Sequence, residues 1–259
     1  MRRLFVLLFV VICVLVAAIT PIKINIEGIE VNYYEEYLTL FNSELSYDDV
    51  LISSIMDGDT FTMIRHKSLN FIELLRLIGV DAPNSKDSDE KLEYFGNEAA
   101  DFARSILENR KCGLSYDQTP VDTYGRILGY VWVPATFEGN EYKVLFNLLL
   151  ITNGYGHAYT IYPFEDKYME IFIEAERIAR IGKQGLWASE EFANMPPEPE
   201  YNPIVYITNT GTMYHQAHCQ HLLQSKIAIR LSEAVRRGYT PCSICNPPRL
   251  ILVGKETGN

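Results

Sequence analysis

Short β-branched and aromatic stretches separated by turn residues dominate the middle of the chain. They predict strands at DVLISSIM (49–56), DTFTMIRH (59–66) and FIELLRLIGV (71–80). Two further apolar stretches, around 112–117 and 126–133, predict two more strands. Five short strands interrupted by helices are typical of a small closed β-barrel with helices packed on it.

Between and after these strands, apolar positions recur at steps of three and four. From Glu90 to Arg110 this period predicts a helix, because it places five apolar side chains on one face: Leu92, Phe95, Ala99, Phe102 and Ile106. A short apolar helix is predicted at 145–152 and a longer one at 166–181. The predicted fold class is therefore α+β, a five-stranded barrel with three helices.

The N-terminal residues 1–20 have the pattern of a targeting segment. Two arginines precede sixteen uncharged residues, 4–19. A basic start followed by an apolar stretch predicts a signal peptide or an N-terminal membrane anchor. We therefore expect a protein that is secreted or anchored to the outer face of the cell membrane. Residues 21–47 are polar, acidic and tyrosine-rich, and they predict a spacer.

Composition divides the rest of the chain in two. The stretch 191–203 is rich in proline and acidic residues, which predicts a linker between a barrel domain at 48–190 and a small α+β module at 204–250. The whole chain has a net charge of −10, but residues 201–259 carry six Lys/Arg against two Asp/Glu. An acidic chain is a poor non-specific binder of polyanions, and the uneven charge favours two modules with different roles.

Acids and arginines stand where predicted barrel strands begin and end. Asp59 lies in the turn Asp-Gly-Asp-Thr, and Asp81 follows the strand that contains Arg76. Asp122-Thr-Tyr-Gly-Arg126 repeats the acid, the turn and the arginine. Each acid alone is as consistent with a turn former as with a ligand. Together they favour a metal-assisted phosphodiester site, since carboxylates bind Ca²⁺ and arginines bind phosphate.

A second set of ligand-type residues lies near the C-terminus. His215, Cys219, Cys242 and Cys245 form two short-spaced pairs separated by a small segment. This pattern favours a tetrahedral structural zinc site. His218 and His221 compete for the histidine position. A Cys242–Cys245 disulfide or a redox CxxC motif stays open, because an exported protein can form disulfides.

The motifs DGDT, RLIGVDAP, EYFGNEAADFA, DTYGR and GKQGLW occur in an order and spacing that resemble the thermonuclease (staphylococcal nuclease-like) family over about 48–190. The resemblance implies an OB-fold barrel and Ca²⁺-dependent cleavage of DNA and RNA that leaves 5′-hydroxyl and 3′-phosphate ends. By the same resemblance Asp59, Asp81 and the carbonyl of Ala82 would bind calcium. Arg76 and Arg126 would bind the phosphate, and Tyr159 or Tyr162 would lie near the nucleotide.

The chain departs from this family at one position. Residue 84, after the proline, is usually a glutamate that acts as the general base, and here it is Asn84. An amide can orient water but cannot accept its proton. Three accounts stay open: a nearby acid such as Asp87 or Asp89 is the base, the metal activates the water, or the domain binds nucleic acid without cleaving it.

The C-terminal motifs YHxxxC and LSEAxxxGYxPCxxCNP, at about 204–248, resemble the metal-binding domain of Ada-type DNA repair proteins and extensions of some secreted nucleases. That family uses four cysteines, one of which is methylated. His215 at the first position implies metal binding without methyl transfer. Five basic residues of this region are candidates for contact with a nucleic-acid backbone: Lys226, Arg230, Arg236, Arg237 and Arg249. We expect a monomer whose partner is its DNA or RNA substrate, with no protein partner indicated and the membrane a partner if the N-terminal segment is retained.

Overall fold

The structure, a computed structural model, describes residues 20–40, 46–65, 71–86, 93–160, 162, 164–189 and 202–249. The predicted targeting segment and most of the predicted linker lie outside these residues, so both stay predictions. From Thr20 onward, the described part of the chain contains no helix long and apolar enough to cross a membrane.

A large, mostly antiparallel sheet forms the main body. Its strands are β1 (Pro21–Ile26), β2 (Ile29–Tyr34), β3 (Asp48–Ile55), β4 (Thr60–Arg65), β5 (Ile72–Leu77), β7 (Lys111–Ser115), β8 (Ile127–Phe137) and β9 (Asn140–Leu145). Short β6 (Val80–Asp81) pairs separately with β10 (His157–Ala158). The five strands predicted from hydrophobic patterning correspond to β3, β4, β5, β7 and β8.

Five strands of this sheet close on themselves. The antiparallel pairs β3–β4, β4–β5, β7–β8 and β3–β7 are joined by a parallel pair, β5–β8. This closed order is consistent with the OB-like barrel that the resemblance implied. Phe61, Leu75, Leu114 and Val131 are fully buried inside it, so hydrophobic packing fixes the strands that carry the candidate site.

The helices in the described residues are α1 (Glu35–Leu40), α2 (Gly96–Leu107), α3 (Phe146–Thr152), α4 (Asp166–Ile181) and α5 (Leu231–Arg236). The predicted helices at 145–152 and 166–181 agree with α3 and α4. The first predicted helix, 90–110, is shorter in the structure. Residues 93–95 are not helical, because Phe95 adopts a left-handed backbone (φ 68°) that a helix cannot continue through, and residues 90–92 lie outside the described residues.

The predicted spacer at 21–47 is wrong for most of its described part. β1 and β2 form a hairpin through the turn Glu27-Gly28, and β1 touches β8 at Asn25. Seven side chains of this region are buried in the main core: Ile24, Ile26, Val31, Tyr33, Tyr34, Tyr37 and Leu38. The alternation of IKINI and EVNY has the period of a strand, but the acidic and tyrosine-rich composition of this region favoured a spacer.

The C-terminal module packs on α4. It contains the antiparallel pair β11 (Ile204–Ile207) with β13 (Ile227–Arg230) and the parallel pair β12 (Met213–Tyr214) with β14 (Thr240–Pro241). Met169 and Ile173 of α4 share one apolar cluster with Tyr206, Cys219 and Leu222 of the module.

Acidic residues at every fourth position of α4 hold the same interface. Asp166 binds Lys226 at 2.6 Å, and Glu170 and Glu174 bind Tyr206 and Arg230. Apolar and polar contacts on one helix face therefore fix the module relative to the barrel.

Candidate functional site

Asp59, Arg76 and Asp81 form one contact network at the barrel edge. Arg76 donates from one terminal nitrogen to Asp59 and from the other to Asp81 (2.8 Å) and the carbonyl of Val80 (3.3 Å). Asp59 is fully buried, whereas the Asp81 side chain is half exposed. The structure thus brings together three of the predicted residues, with Arg76 offsetting the charge of a buried carboxylate.

The strands of the barrel set this geometry. Thr60 of β4 lies opposite Arg76 of β5. Leu75 and Leu77 point into the core, so the alternation of the strand directs Arg76 to the other face. Asp59 also accepts a hydrogen bond from the backbone N–H of Ala82 at 2.6 Å.

Gly58 is required by the close approach of this turn to the loop after β6. A Cβ atom at residue 58 would lie 2.7 Å from the Cβ of Ala82, which is shorter than side chains tolerate. The sequence DGDT is therefore more than a hairpin signal, because its glycine lets Asp59 reach Ala82.

Asp57 is a buried acid that the sequence analysis treated only as part of the turn. It accepts a hydrogen bond from the backbone N–H of Asp59 at 3.2 Å. Burial raises the pKa of Asp57, and the charges of Arg76 and Arg126 oppose that rise. Asp57 therefore lies close enough to both candidate phosphate-binding arginines to feel their charge.

Arg126 is held at the end of the Asp122–Arg126 turn. Its Nε donates to Asp122 at 2.7 Å, and its guanidinium lies 5.3 Å from the ring centre of Tyr124. Partial burial works against the charge of Asp122, but hydrogen bonds from Arg126 prevail and lower the pKa of that carboxyl. Arg126 and Arg76 line one cleft of about 1440 Å³.

Tyr159 and Tyr162 line the same cleft, with ring centres 6.0 Å apart. The pairing of β10 with β6 places Tyr159 beside the end of the Arg76 strand, where its N–H donates to the carbonyl of Gly79 at 2.9 Å. Burial and then the charge of Asp81 raise the pKa of Tyr159. Tyr162 is 72% exposed. Both predicted tyrosines therefore lie at the candidate site.

Glu176 of α4 anchors the strand that precedes Tyr159. It accepts a hydrogen bond from the backbone N–H of Ala158 at 2.9 Å and contacts His157 and Arg180. Burial raises its pKa, but the hydrogen bond from His157 and the charge of Arg180 outweigh burial, so the pKa of Glu176 is lowered. This residue was missed, because an acid in a charged helix face carries no sequence signal.

Asn84 is fixed by a different carboxylate from those predicted. Its N–H donates to Glu93 Oε2 at 3.1 Å, and the N–H of Glu93 donates to the carbonyl of Asn84 at 2.9 Å. A Cβ at Gly96 would lie 2.0 Å from that carbonyl, so glycine is required there. Asp87 and Asp89 lie outside the described residues, and Glu93 is the acid that the structure places against residue 84.

A second cluster forms in the C-terminal module. One ligand-type atom from each of His215, Cys219, Cys242 and Cys245 lies within 4.8 Å of the others. These are the four predicted ligands, and the competitors His218 and His221 are not among them. Cys219, Cys242 and Cys245 are free thiols in the structure. Three sulfurs and one imidazole nitrogen at this spacing fit a tetrahedral zinc ion.

Backbone donors support the sulfur atoms of this cluster. The N–H of Gln216 donates to Cys245 Sγ at 3.3 Å, and the N–H groups of Ile244 and Cys245 donate to Cys242. Burial would raise the pKa of Cys242, but these donors lower it. At Cys242 these hydrogen bonds favour the thiolate, which is the form that binds a metal, whereas burial and the neighbouring thiols raise the pKa of Cys245 to about 11.

Most of the basic residues predicted to contact nucleic acid are already paired. Lys226 and Arg230 bind acids of α4, and Arg236 and Arg237 both bind Glu233 at 2.6 Å. Each of these four side chains already contacts a carboxylate of the protein, although Arg236 and Arg237 share one, which weakens the case for a phosphate-binding surface on α5.

Known proteins resemble this chain across the same region. The staphylococcal nuclease homologue family matches residues 74–189. The thermonuclease of Staphylococcus intermedius is 31% identical over 146 residues, which are 56% of this chain and 80% of that protein. The chain belongs to the staphylococcal nuclease homologue family. The part matched by the family includes Arg76, Asp81 and Arg126, and its end at 189 leaves the cysteine cluster outside.

Two further relatives show the same pattern. The thermonuclease of Staphylococcus hyicus is 34% identical over 136 residues, 52% of this chain and 73% of that protein. Endonuclease YhcR of Bacillus subtilis (strain 168) is 30% identical over 166 residues, which are 61% of this chain but 13% of that protein. The family domain therefore occurs in proteins of different length.

Proposed function

We propose that this protein is an exported, Ca²⁺-dependent nuclease that hydrolyses phosphodiester bonds of DNA, RNA or both. The observation that carries the proposal is the network of Asp59, Arg76 and Asp81, with Arg126 in the same cleft, in a member of a family whose named relatives include thermonucleases. Hydrolysis of a phosphodiester needs oxygen ligands for a cation and donors for the phosphate, and the four residues supply both.

The oxygen donors of the network fit calcium by their chemistry. Asp59 and Asp81 contribute hard carboxylate oxygens, and the carbonyl of Ala82 is the third ligand that the family resemblance implies. When bound, the ion would polarise the phosphate and lower the pKa of the attacking water. Arg76 contacts both carboxylates and so keeps them close to each other.

The arginines bind the substrate and stabilise added negative charge. A guanidinium has five N–H donors, so Arg126 can contact phosphate while its Nε stays on Asp122. Arg76 lines the cleft beside Asp81, where its charge would offset the charge that develops on the phosphoryl oxygens. Tyr159 and Tyr162 offer ring faces to the adjoining nucleotide. Products with 5′-hydroxyl and 3′-phosphate ends follow from the resemblance.

Asn84 is proposed to orient the attacking water through its amide. Two hydrogen bonds between the Asn84 backbone and Glu93 fix the position of the Asn84 Cα atom, from which the amide side chain extends. An amide cannot take the proton, and loss of a general base costs about 10²–10⁴-fold in rate. Glu93 is proposed as the acid that partly replaces this function, since it is a carboxylate in contact with residue 84.

The cluster of His215, Cys219, Cys242 and Cys245 is proposed to bind zinc and to fold the C-terminal module. Four ligands complete a tetrahedral site and leave no position for substrate. The module has a small core of its own, so much of its stability would come from the ion.

The test is cleavage of end-labelled DNA and RNA by the purified protein with Ca²⁺ or with EGTA, beside Arg126→Ala and Arg65→Ala. Arg65 pairs with Glu73 at 2.6 Å away from the cleft, which makes it a matched control. Calcium-dependent cleavage that is lost in Arg126→Ala and kept in Arg65→Ala supports the proposal. No cleavage of either substrate under any condition contradicts it.

A second candidate function is a barrel that binds nucleic acid without cleaving it. The observation that favours it is Asn84 in place of the usual glutamate. The same assay separates the two functions if Asn84→Glu is added. Cleavage by Asn84→Glu alone would identify the native protein as a binder.

A further inference from the structure

The cleft that holds the candidate catalytic residues is not built by the barrel alone. Residues 222–226 of the C-terminal module line the same cleft as Arg76 and Arg126. The cleft, at about 1440 Å³, exceeds the roughly 300–1,000 Å³ of sites for one small ligand. A cleft of this size is large enough for a ligand of more than one nucleotide.

Leu223 is the most conspicuous side chain of this second wall. It is 88% exposed although it is a large aliphatic residue, and its neighbour Leu222 is buried in the module. The barrel side of the cleft presents Tyr124 at 84% and Tyr162 at 72% exposure. Exposed apolar and aromatic surfaces facing one cleft are suited to the flat faces of nucleic-acid bases.

The lysines at this side of the cleft are already paired with acids of the protein. The Lys226 ammonium lies 2.6 Å from Asp166 and 4.5 Å from the ring centre of Tyr206. Lys167 is paired with Glu165 at 3.0 Å. With these lysines engaged, the contribution of the wall to a bound strand would come from contact with bases and little from phosphate neutralisation.

The position of the wall depends on the cysteine cluster. Cys219 directly precedes the 3₁₀ turn Gln220–Leu222, and the N–H of Leu222 donates to the carbonyl of Cys219 at 3.0 Å. At its other end the segment is held by Lys226 on Asp166. One end is therefore fixed by a proposed metal ligand and the other by helix α4.

We propose that residues 222–226 form a nucleic-acid-binding wall of the cleft, which contacts bases beyond the two nucleotides that flank the cleaved phosphodiester and is positioned by the metal cluster. This inference rests on the proposed function for the identity of the strand. It gives the C-terminal module a role in substrate binding that its paired basic residues do not provide.

The first test is independent of cleavage. A photo-crosslinking amino acid is placed at 223, and in a separate variant at Val235, an apolar residue of the same module that is 39% exposed and does not line the cleft. Irradiation with a labelled single-stranded oligonucleotide is expected to crosslink position 223 and not 235. Equal crosslinking at both positions, or none at 223, would overturn the inference.

The second test uses substrate length. In Leu223→Ala the KM for a long single strand is expected to rise about three- to tenfold, while the kinetics on a dinucleotide substrate stay unchanged and Val235→Ala matches the native protein. Removal of zinc with a chelator that spares calcium should reproduce the length-dependent loss. An unchanged KM for the long strand, in a protein that cleaves, refutes the wall and leaves the nuclease intact.

Crosslinking at 223 without any cleavage would have the opposite meaning. It would support the binding role of residues 222–226, and it would contradict the proposed nuclease activity in favour of nucleic-acid binding without cleavage. The two proposals therefore fail by different results.

Discussion

The barrel edge and the C-terminal module each gather ligand-type side chains, but they do so in different ways. At the barrel edge the donors are carboxylate oxygens, and Arg76 already offsets the buried charge of Asp59. In the module the donors are three sulfurs and one imidazole, and backbone N–H groups point at the sulfurs. The strands of the hydrophobic barrel position the first set beside a cleft. In the second set the four donor atoms lie within 4.8 Å of one another.

This difference suggests that the barrel-edge donors serve catalysis and that the donors of the module serve folding. The barrel core is formed by apolar side chains outside the donor set, so we expect its oxygen donors to exchange a cation without loss of the fold. The module has a smaller apolar core, so we propose that a metal joining its donors contributes much of its stability. The presence of both sites in one chain thus predicts two metal dependences with different readouts: loss of activity at the barrel and loss of structure in the module.

The largest expected effect comes from breaking the soft-donor cluster. Cys242→Ser should remove most of the zinc affinity, because a structural zinc site contributes on the order of 10 kcal/mol to folding. Hydrogen exchange measured by mass spectrometry should show loss of protection across 202–249 and unchanged protection in β3–β5. Cys112→Ser is the matched control, since Cys112 is a buried thiol of the barrel core outside the cluster. Retained protection of the module in Cys242→Ser would contradict a structural metal.

The next effect distinguishes the two arginines of the cleft. Arg76→Ala should lower the free energy of unfolding by about 3–5 kcal/mol, because it leaves the buried Asp59 carboxylate without its partner. Arg126→Ala should cost about 1 kcal/mol, since its pair with Asp122 is partly exposed. Both should reduce cleavage by at least about 10²-fold. Urea unfolding measures the first difference, and equal destabilisation by the two variants would show that burial of Asp59 does not govern stability.

A third prediction concerns residue 84 and its neighbour. Asn84→Glu should raise the cleavage rate by about 10²-fold or more, because a carboxylate there can accept the proton of water. Glu93→Gln should lower the native rate, and it should have less effect in the Asn84→Glu background. Glu165→Gln, which alters an acid of the cleft rim paired with Lys167, serves as the control. Unchanged rates in Asn84→Glu would mean that the metal alone activates the water.

Stability should also fall in acid, through the carboxylates of α4. The pKa of Glu174 and of Glu176 is lowered in the folded protein, the first by Arg177 and Arg230 against the effect of burial. Such groups stabilise the fold when ionised, so their contribution is complete above the ordinary glutamate pKa of about 4.3 and is lost as the pH falls through the lowered values. Unfolding free energies at pH 7 and pH 3 should differ less in Glu176→Gln. An undiminished difference would exclude Glu176 as a source.

The smallest effect is expected on the surface of the module. Arg236→Ala should change the free energy of unfolding and the affinity for nucleic acid by less than about 1 kcal/mol, since the Arg236 side chain is 74% exposed and paired with Glu233. Fluorescence anisotropy with a labelled strand measures the affinity. A large loss of affinity in Arg236→Ala would instead support the hypothesis that α5 binds the phosphate backbone of nucleic acid.

The sequence predicted the parts of the molecule that regular periods and short-range spacing control. The five barrel strands and the helices at α3 and α4 follow from β-branched stretches and a 3.6-residue period. The four ligands of the cysteine cluster follow from spacing, because pairs separated by two or three residues come together in almost any compact segment.

What could not be predicted depends on contacts between distant segments. Glu93 contacts Asn84 because Phe95 adopts a left-handed backbone and α2 begins only after it. Hydrophobic periodicity does not predict such a residue. Glu176 supports Ala158 because α4 packs against β10, and Leu223 lines the cleft because the module packs on α4. The β1–β2 hairpin was missed because its alternating pattern was set among acidic and tyrosine residues that resemble a spacer.

The most direct test of the account removes the two metals in turn from one sample. The purified protein is followed for cleavage of a labelled strand and for hydrogen exchange, first with EGTA in a buffer that maintains free Zn²⁺ and then with a zinc chelator. We predict that EGTA abolishes cleavage while 202–249 stay protected, and that the zinc chelator then exposes 202–249 while the barrel stays protected. Cleavage that persists in EGTA, or loss of barrel protection with either chelator, would contradict the separation of chemistry and folding between the two sites.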